Sequence, residues 1–570
     1  RSMYTVLKQK GNRQLGKLLK DPFQFEAESL ARALVSTEDF QSPSDATVLI
    51  DLAAHYDRCR LRVSRTLPQL VPLLALEYRV TLEASDLVHS PLVVTHEIPF
   101  PDEHSKQVSD VQTLQVPFDK LCDIFKLTYC GAKAPEGALV WDAAVFLLLA
   151  DALYLVFGGL AVVRRETGRY VIEAEPRVGR PRLRRRWVSS AAEQQAHLAI
   201  LAALYQFDLT RIHERNLKAC IDAMEELLFD KILSLPIQQM QGAFSDNRAF
   251  SFTRSVLRLF GAALSLGSRQ QPLVQGSAIF TAADVPCDDL EFIFQLQRQL
   301  NFTDQLFQRS NGCIQVTKNG FVHQARGLIE NAYTQFDRFG AARGVLGKYF
   351  ENSHVRRRLC APAISRHYSI FEGLMAHDAG SGERRGDGDL ILMDKAHERY
   401  YICQIKYTIG GARPYLLGDV ELMIDGTLYH GLQQLRGIRQ HLAEGRLDAR
   451  LEELGLHNLR PDNTDFLLVH NITNLDLQQT HDGIALYEWN TLRNLLQGAQ
   501  ILVGSTDQEP QEHQLSTPLA LGNVDELLDH LLIHHGYWGE LIQMSTGPNE
   551  SGTLSFALDG QGFTMIGLGL

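Results

Sequence analysis

What this sequence lacks narrows it first. Its eight cysteines are scattered, at 59, 122, 130, 220, 287, 313, 360 and 403, and no CxxC pair occurs. That argues against a zinc ribbon or a disulfide framework and fits reduced thiols in a cytoplasm. There is no G-x-x-x-x-G-K-[ST] loop, which argues against an NTPase motor within the chain. There is no H-E-x-x-H, no G-x-S-x-G and no internal repeat. Positive charge is also short: 56 Lys and Arg stand against 67 Asp and Glu, a net charge of −11. That balance opposes nonspecific binding to nucleic acid, but binding follows charge distribution, so a local basic groove stays open. The start Arg1-Ser2-Met3 reads as two leftover residues before a native Met3, and no basic-then-apolar leader follows.

What is present is ordinary for a soluble globular protein: 45% hydrophobic and 22% charged residues over 570 positions, enough for two to four domains. One apolar run, Ala143 to Val163, is long enough to span a bilayer. Asp151 in its middle, Asp142 at its start and the Gly158-Gly159 break favour a buried helix followed by a hairpin strand. Helical patterns run over Phe23–Leu34, Thr47–Tyr56, Thr66–Leu76, Ala196–Leu204, Leu217–Leu233, Thr253–Leu266 and Leu290–Leu300. Strands are expected at Glu77–Leu82, Leu92–Thr95 and Leu114–Val116, and a strand–turn–strand at Thr553–Leu568. That last element could seal a core edge or serve an oligomer contact.

The chemistry-bearing feature is Gly386-Asp387-Gly388-Asp389-Leu390-Ile391-Leu392-Met393 followed by Tyr400-Tyr401-Ile402-Cys403-Gln404-Ile405-Lys406-Tyr407. It reads as two apolar strands joined by the polar turn Asp394–Arg399. Gln404 and Lys406 share a strand face by alternation. Folding about residue 397 sets Asp389 opposite positions 404 to 406, where cross-strand neighbours lie about 5 Å apart. A carboxylate, an amide oxygen and an ammonium would then converge on one patch, which suits a hard divalent cation beside a water and a phosphate.

Asp389, Gln404-Ile405-Lys406 and the upstream Glu351 resemble the PD-(D/E)XK nuclease superfamily in its QxK variant, the Mrr-type restriction endonuclease-like domain. The pieces follow that family's order over about residues 325 to 500. Gly347-Lys348-Tyr349-Phe350-Glu351-Asn352 looks like an amphipathic first helix. The two strands follow, then a helix over Val420–Leu442 with Leu428, Leu432, Leu435, Ile438 and Leu442 at helical spacing, then strands Asp465–His470 and Gly483–Tyr487. The resemblance implies a restriction-endonuclease-like mixed sheet flanked by helices, preceded by a large α+β N-terminal region. The expected divisions are 1–190, a mostly helical 191–324, the nuclease domain 325–500, and a C-terminal helix and hairpin 501–570.

The same resemblance implies Mg²⁺ or Mn²⁺ as cofactor and a catalytic set of Glu351, Asp389, Gln404 and Lys406. Asp389 would be the central ligand, with the Gln404 side-chain oxygen and the Ile405 carbonyl beside it, and Glu351 bound directly or through water. Lys406 would position the attacking water and offset charge on the phosphorus. Asp387 competes with Asp389, Glu330 and Glu372 compete with Glu351, and Gln433 or Gln434 could support the site. Gln in place of the usual acidic ligand leaves one negative charge fewer.

Six arginines fall within Arg177–Trp187. Arg180, Arg182, Arg184, Arg185 and Arg186, with Trp187 for stacking, suggest a phosphate-backbone contact; a solvated linker is the other reading. Arg356, Arg357, Arg384 and Arg385 flank the candidate catalytic residues and suit phosphate contacts. His530, His534 and His535 have metal-pair spacing without a third ligand motif. The expectation is a Mg²⁺-dependent endodeoxyribonuclease, a cytoplasmic restriction or anti-phage defence effector. Its partners would be DNA and a sensor or motor in trans, with no membrane and homo-oligomerisation left open. Two alternatives stand: an inactive nuclease-fold scaffold, and a nuclease acting on RNA or structured ends.

Overall fold

The computed structural model describes residues 11–36, 44–77, 138–237, 240, 247–298, 305–317, 322–336, 341–377, 384–410, 416, 426–497, 520–534 and 553–568. The strands expected between residues 78 and 116 lie outside them. Among the described residues no helix is long and apolar enough to cross a membrane.

The chain is mixed α and β. Helix α1 (Ala46–Glu77) merges two expected helices into one, and α2 (Ala138–Phe157) is the apolar run. Between Ala143 and Phe157 every residue of α2 is buried, so its apolarity on all sides serves a protein core. It leads into β1 (Ala161–Glu166) and β2 (Arg169–Ala174), a hairpin turning at Gly168 with φ +77°. Next come α3 (Gly179–Tyr205), α4 (Glu214–Leu228) and α5 (Arg248–Gly267). A small sheet of β3 (Leu273–Val274), β4 (Phe307–Ser310) and β5 (Cys313–Val316) follows, ordered β3-β5-β4.

The arginine-rich segment is neither a linker nor a phosphate contact along its length. From Gly179 on it forms the first third of α3, and the amides of Arg177, Val178 and Gly179 at that start donate to the Glu175 carboxylate. Arg185, Arg186 and Trp187 are buried at 7%, 9% and 7% exposure. Arg184 pairs with Asp529 at 2.7 Å and Arg185 with Asp525 at 2.5 Å, both acids of a helix near the C-terminus. Arg177 and Arg180 are exposed, and Arg182 and Arg184 are half-buried.

The candidate site sits on the largest sheet. Helix α6 (Val322–Phe336) and α7 (Ala341–Lys348) precede it, and α7 runs on through a π-helical turn, Tyr349–Arg356, to Leu359. The strands are β6 (Tyr368–His377), β7 (Arg384–Asp394), β8 (Arg399–Ile405), β9 (Thr464–His470), β10 (Gln478–Gln479) and β11 (Ala485–Glu488), ordered β10-β11-β9-β8-β7-β6. β6, β7 and β8 form an antiparallel meander; β8, β9 and β11 are parallel. Helix α8 (Thr427–Ala443) carries the chain from β8 to β9, and α9 (Trp489–Leu496) follows β11.

Both faces of the central strands β8, β9 and β11 are buried, as parallel strands require. Ile391, Ile402, Leu468 and Leu486 pack on Leu428, Leu432, Leu435, Ile438 and Leu442 of α8. Leu390, Leu392, Tyr401, Cys403, Val469 and Tyr487 face a core that also holds α4, α5 and α6. That core crosses position 324/325, so the helical region and the expected nuclease domain share one interior. Helix α10 (Val524–His534) packs into the same core through Leu527, Leu528 and Leu531. The last hairpin, β12 (Thr553–Leu558) and β13 (Gln561–Ile566), seals a sheet edge: β13 pairs parallel with β2.

Candidate active site at the Asp389 hairpin

The β7–β8 register places Leu390 opposite Cys403, so Asp389 falls opposite Gln404 as the folding-back argument expects. Ladder pairing ends there, and the Asp389 carboxylate takes over. Its Oδ2 accepts from the Gln404 amide nitrogen at 2.8 Å and from the Ile405 backbone N–H at 2.6 Å. Both bonds fall on one oxygen; Oδ1 takes no hydrogen bond from the described residues. Gln404 is 1% exposed, and its Oε1 is buried without a partner among the described residues. A buried acceptor left unmatched costs about 1–3 kcal/mol, so Gln404 Oε1 asks for a cation or a water, with Oδ1 of the half-buried Asp389 as the neighbouring acceptor.

The electrostatics point the same way. Burial pushes the Asp389 carboxyl up to about 6; the Ile405 N–H and Lys406 oppose that, while Glu351 and Asp387 add to it. Glu351 is thus close enough to be felt at Asp389. It lies in the π-helical turn, where Arg356 Nη2 donates to its Oε1 at 3.2 Å and also to the Asp389 carbonyl. The β6–β7 register runs Glu372–Leu390 and then Leu374–Gly388, skipping Gly373 and Asp389, and Arg356 supplies the donor at that carbonyl.

Asp387 lies on the same strand face, 9% exposed, and accepts from Gln434 of α8 at 3.2 Å. Gln434 therefore faces the site while Gln433 is exposed. Lys406 lies one step beyond β8, its backbone N–H bonded to Val469 O at 2.8 Å. Its stem runs over α8: a Cβ added at Gly431 would meet Lys406 Cγ at 2.9 Å and Leu468 Cδ1 at 2.8 Å. At Gly386 an added Cβ would sit 2.5 Å from the Ile438 backbone nitrogen. Two glycines, one on the strand and one on the helix, let α8 approach closely enough to hold Lys406 and Asp387 in place.

The other candidates separate. Glu330 lies against Gly410, where an added Cβ would fall 2.1 Å from its carboxylate, and is not among the main charges acting on Asp389. Glu372 is 79% exposed and pairs with Arg450 at 3.4 Å. Arg357 is exposed, whereas Arg356 is turned onto Glu351. Arg384 and Arg385 begin β7, and their side chains lie outside the described part, as does His535. Among the described residues no group of three or more His, Cys, Asp or Glu is gathered to hold a metal ion. At Asp389 the oxygens are mixed in kind, carboxylate and amide, and they fit a hard cation such as Mg²⁺. Sequence spacing missed the Glu351–Arg356 contact, because residues five apart lie about 140° apart on an α-helix.

Comparison with family models, curated proteins and solved structures returned no match.

Proposed function

We propose that the chain is a metal-dependent endonuclease of the PD-(D/E)XK kind, with the reaction carried by the unit at about residues 325 to 500 and DNA as substrate. The observation that carries this is the pairing of Asp389 with Gln404 on adjacent strands, where the described residues give no hydrogen bond to Gln404 Oε1 or Asp389 Oδ1, and where the charges of Glu351 and Lys406 act on Asp389. The antiparallel meander feeding a parallel pair through a crossover helix supports the same reading.

Asp389 Oδ1, Gln404 Oε1 and the Ile405 carbonyl, with Glu351 directly or through water, would hold Mg²⁺ or Mn²⁺. The ion, when bound, supplies Lewis-acid polarisation of the phosphate and a water of lowered pKa. The chain's own residues do the rest. Lys406, its stem packed on Gly431, orients that water and offsets negative charge growing on the phosphate oxygens. Asp387, held by Gln434, adds negative potential beside Asp389. Arg357 at the rim contacts the backbone of the polyanion.

The large N-terminal part gives room for recognition of DNA or of a protein partner, as in a cytoplasmic restriction or anti-phage defence effector whose sensor or motor acts in trans. The test is cleavage of matched duplex DNA, single-stranded DNA and RNA with Mg²⁺ or Mn²⁺. The reading expects duplex DNA to be cut fastest. Preferred cutting of RNA would move the substrate class, and no cutting of any of them would leave a nuclease-fold scaffold.

A further inference from the structure

The candidate site already holds a positive charge that the reaction does not use. Both side-chain hydrogen bonds of Arg356, to Glu351 Oε1 and to the Asp389 carbonyl, come from Nη2, and its Nε is buried without a partner among the described residues. A guanidinium is a fork that binds best when two nitrogens meet two oxygens, so this pose uses it poorly. The pair exists because the helix is π-wound from Tyr349 to Arg356: that turn brings residues five apart onto one face. Arg356 and Glu351 are 35% and 25% exposed, so the guanidinium meets solvent on one side and the site on the other. A phosphate diester arriving there offers the two oxygens that the present pose lacks.

We propose that Arg356 is the resident counter-ion of the site, and that a substrate phosphate draws it away, so that a divalent cation loads at Glu351 and Asp389 once nucleic acid is bound. This rests on the nuclease reading above. While the guanidinium stays on Glu351, it neutralises a ligand and repels the incoming ion. When the phosphate takes it, both effects lapse together, and the reaction is confined to the complex. The one-charge deficit from Gln404 makes the site sensitive to this single residue.

The test is Mn²⁺ binding by the full chain, followed by electron paramagnetic resonance. Wild type, Arg356→Gln and Asp389→Ala are titrated with and without a short phosphorothioate duplex, Asp389→Ala serving to subtract ions held by the duplex itself. Without duplex, Arg356→Gln is expected to bind Mn²⁺ roughly tenfold more tightly than wild type. Duplex should tighten wild type by about the same factor and leave Arg356→Gln little changed. A residue of merely structural importance would weaken binding when replaced, the opposite sign. Equal or weaker binding by Arg356→Gln overturns the proposal while sparing the nuclease reading, and so does wild-type affinity indifferent to duplex. The wild-type arm decides the matter if Arg356→Gln fails to fold. Absence of Asp389-dependent Mn²⁺ binding in every sample overturns both.

Discussion

Two aspartates of the same unit are treated in opposite ways. Asp482, in the turn before β11, lies between Arg436 and Arg439 of α8, bonded to Arg436 Nε at 2.9 Å and Arg439 Nη2 at 2.7 Å. Burial alone would raise its carboxyl; the bonds from Arg436 and the charges of both arginines override that and hold it well below the usual carboxylate range. Asp389 receives only a neutral amide and a peptide N–H, and burial with the nearby Glu351 keeps its carboxyl high. At Asp482 the protein itself supplies the carboxylate's cations. Among the described residues no cation is bonded to the Asp389 carboxylate, and under the proposed function it takes one from outside.

The sharpest way to break this contrast is Asp389→Asn. It keeps an acceptor for the Ile405 N–H and removes the charge. Cleavage should fall on the order of 10³-fold with Mg²⁺, while the melting temperature stays at or above that of wild type. Gly386→Ala comes next. The added Cβ would strike the α8 backbone, so unfolding in denaturant should show a loss of about 1–3 kcal/mol, with cleavage lost in step.

Asp482→Asn should do the reverse of Asp389→Asn. About 1–2 kcal/mol of stability goes, discounted because both arginines are about a third exposed, and cleavage per folded molecule is retained. The sign of its pH dependence follows. A lowered folded-state pKa gives stability that is present above the unfolded value and lost on acidification. The gap between wild type and Asp482→Asn should therefore shrink below about pH 4.

Asp476 and Glu488 are a third kind of case: each 3% exposed and pushed up by burial, Asp476 also by the charge of Glu488. Asp476 accepts from Leu477 N, Glu488 N and Thr491 Oγ1. A raised folded-state pKa gives stability that is full at low pH and lost as pH rises. Asp476→Asn should flatten the fall in stability above about pH 4, seen by comparing denaturation midpoints across pH. The smallest effect is expected for Arg184→Ala. Its pairing with Asp529, 62% exposed, is worth about 0.5 kcal/mol or less, and duplex affinity should hardly move.

The parts of this molecule legible in the sequence are those set by local pattern. The β7–β8 hairpin could be registered because its turn is polar and the runs beside it, Leu390–Met393 and Tyr400–Cys403, are apolar without interruption. Helix α8 showed its five apolar positions, and α2 its Asp151 and its glycine break. β6 escaped because Glu372, Gly373 and His377 interrupt any two-residue period. β3, β4 and β5 are two to four residues long, too short to show one. The arginine run misled for a different reason. Its partners Asp525 and Asp529 lie some 340 positions away, and composition says nothing of such pairing. At the site, Asp389, Gln404 and Lys406 came from alternation, whereas the Arg356 contact needed a π turn that no spacing rule foretells.

The measurement that bears most directly on the account is cleavage of supercoiled plasmid by wild type, Asp389→Ala and Lys406→Ala, each with Mg²⁺, Mn²⁺ or EDTA. The account predicts metal-dependent nicking or linearisation by wild type alone, abolished by EDTA. Equal cutting by all three proteins, or cutting that survives EDTA, would contradict it and place the activity away from Asp389.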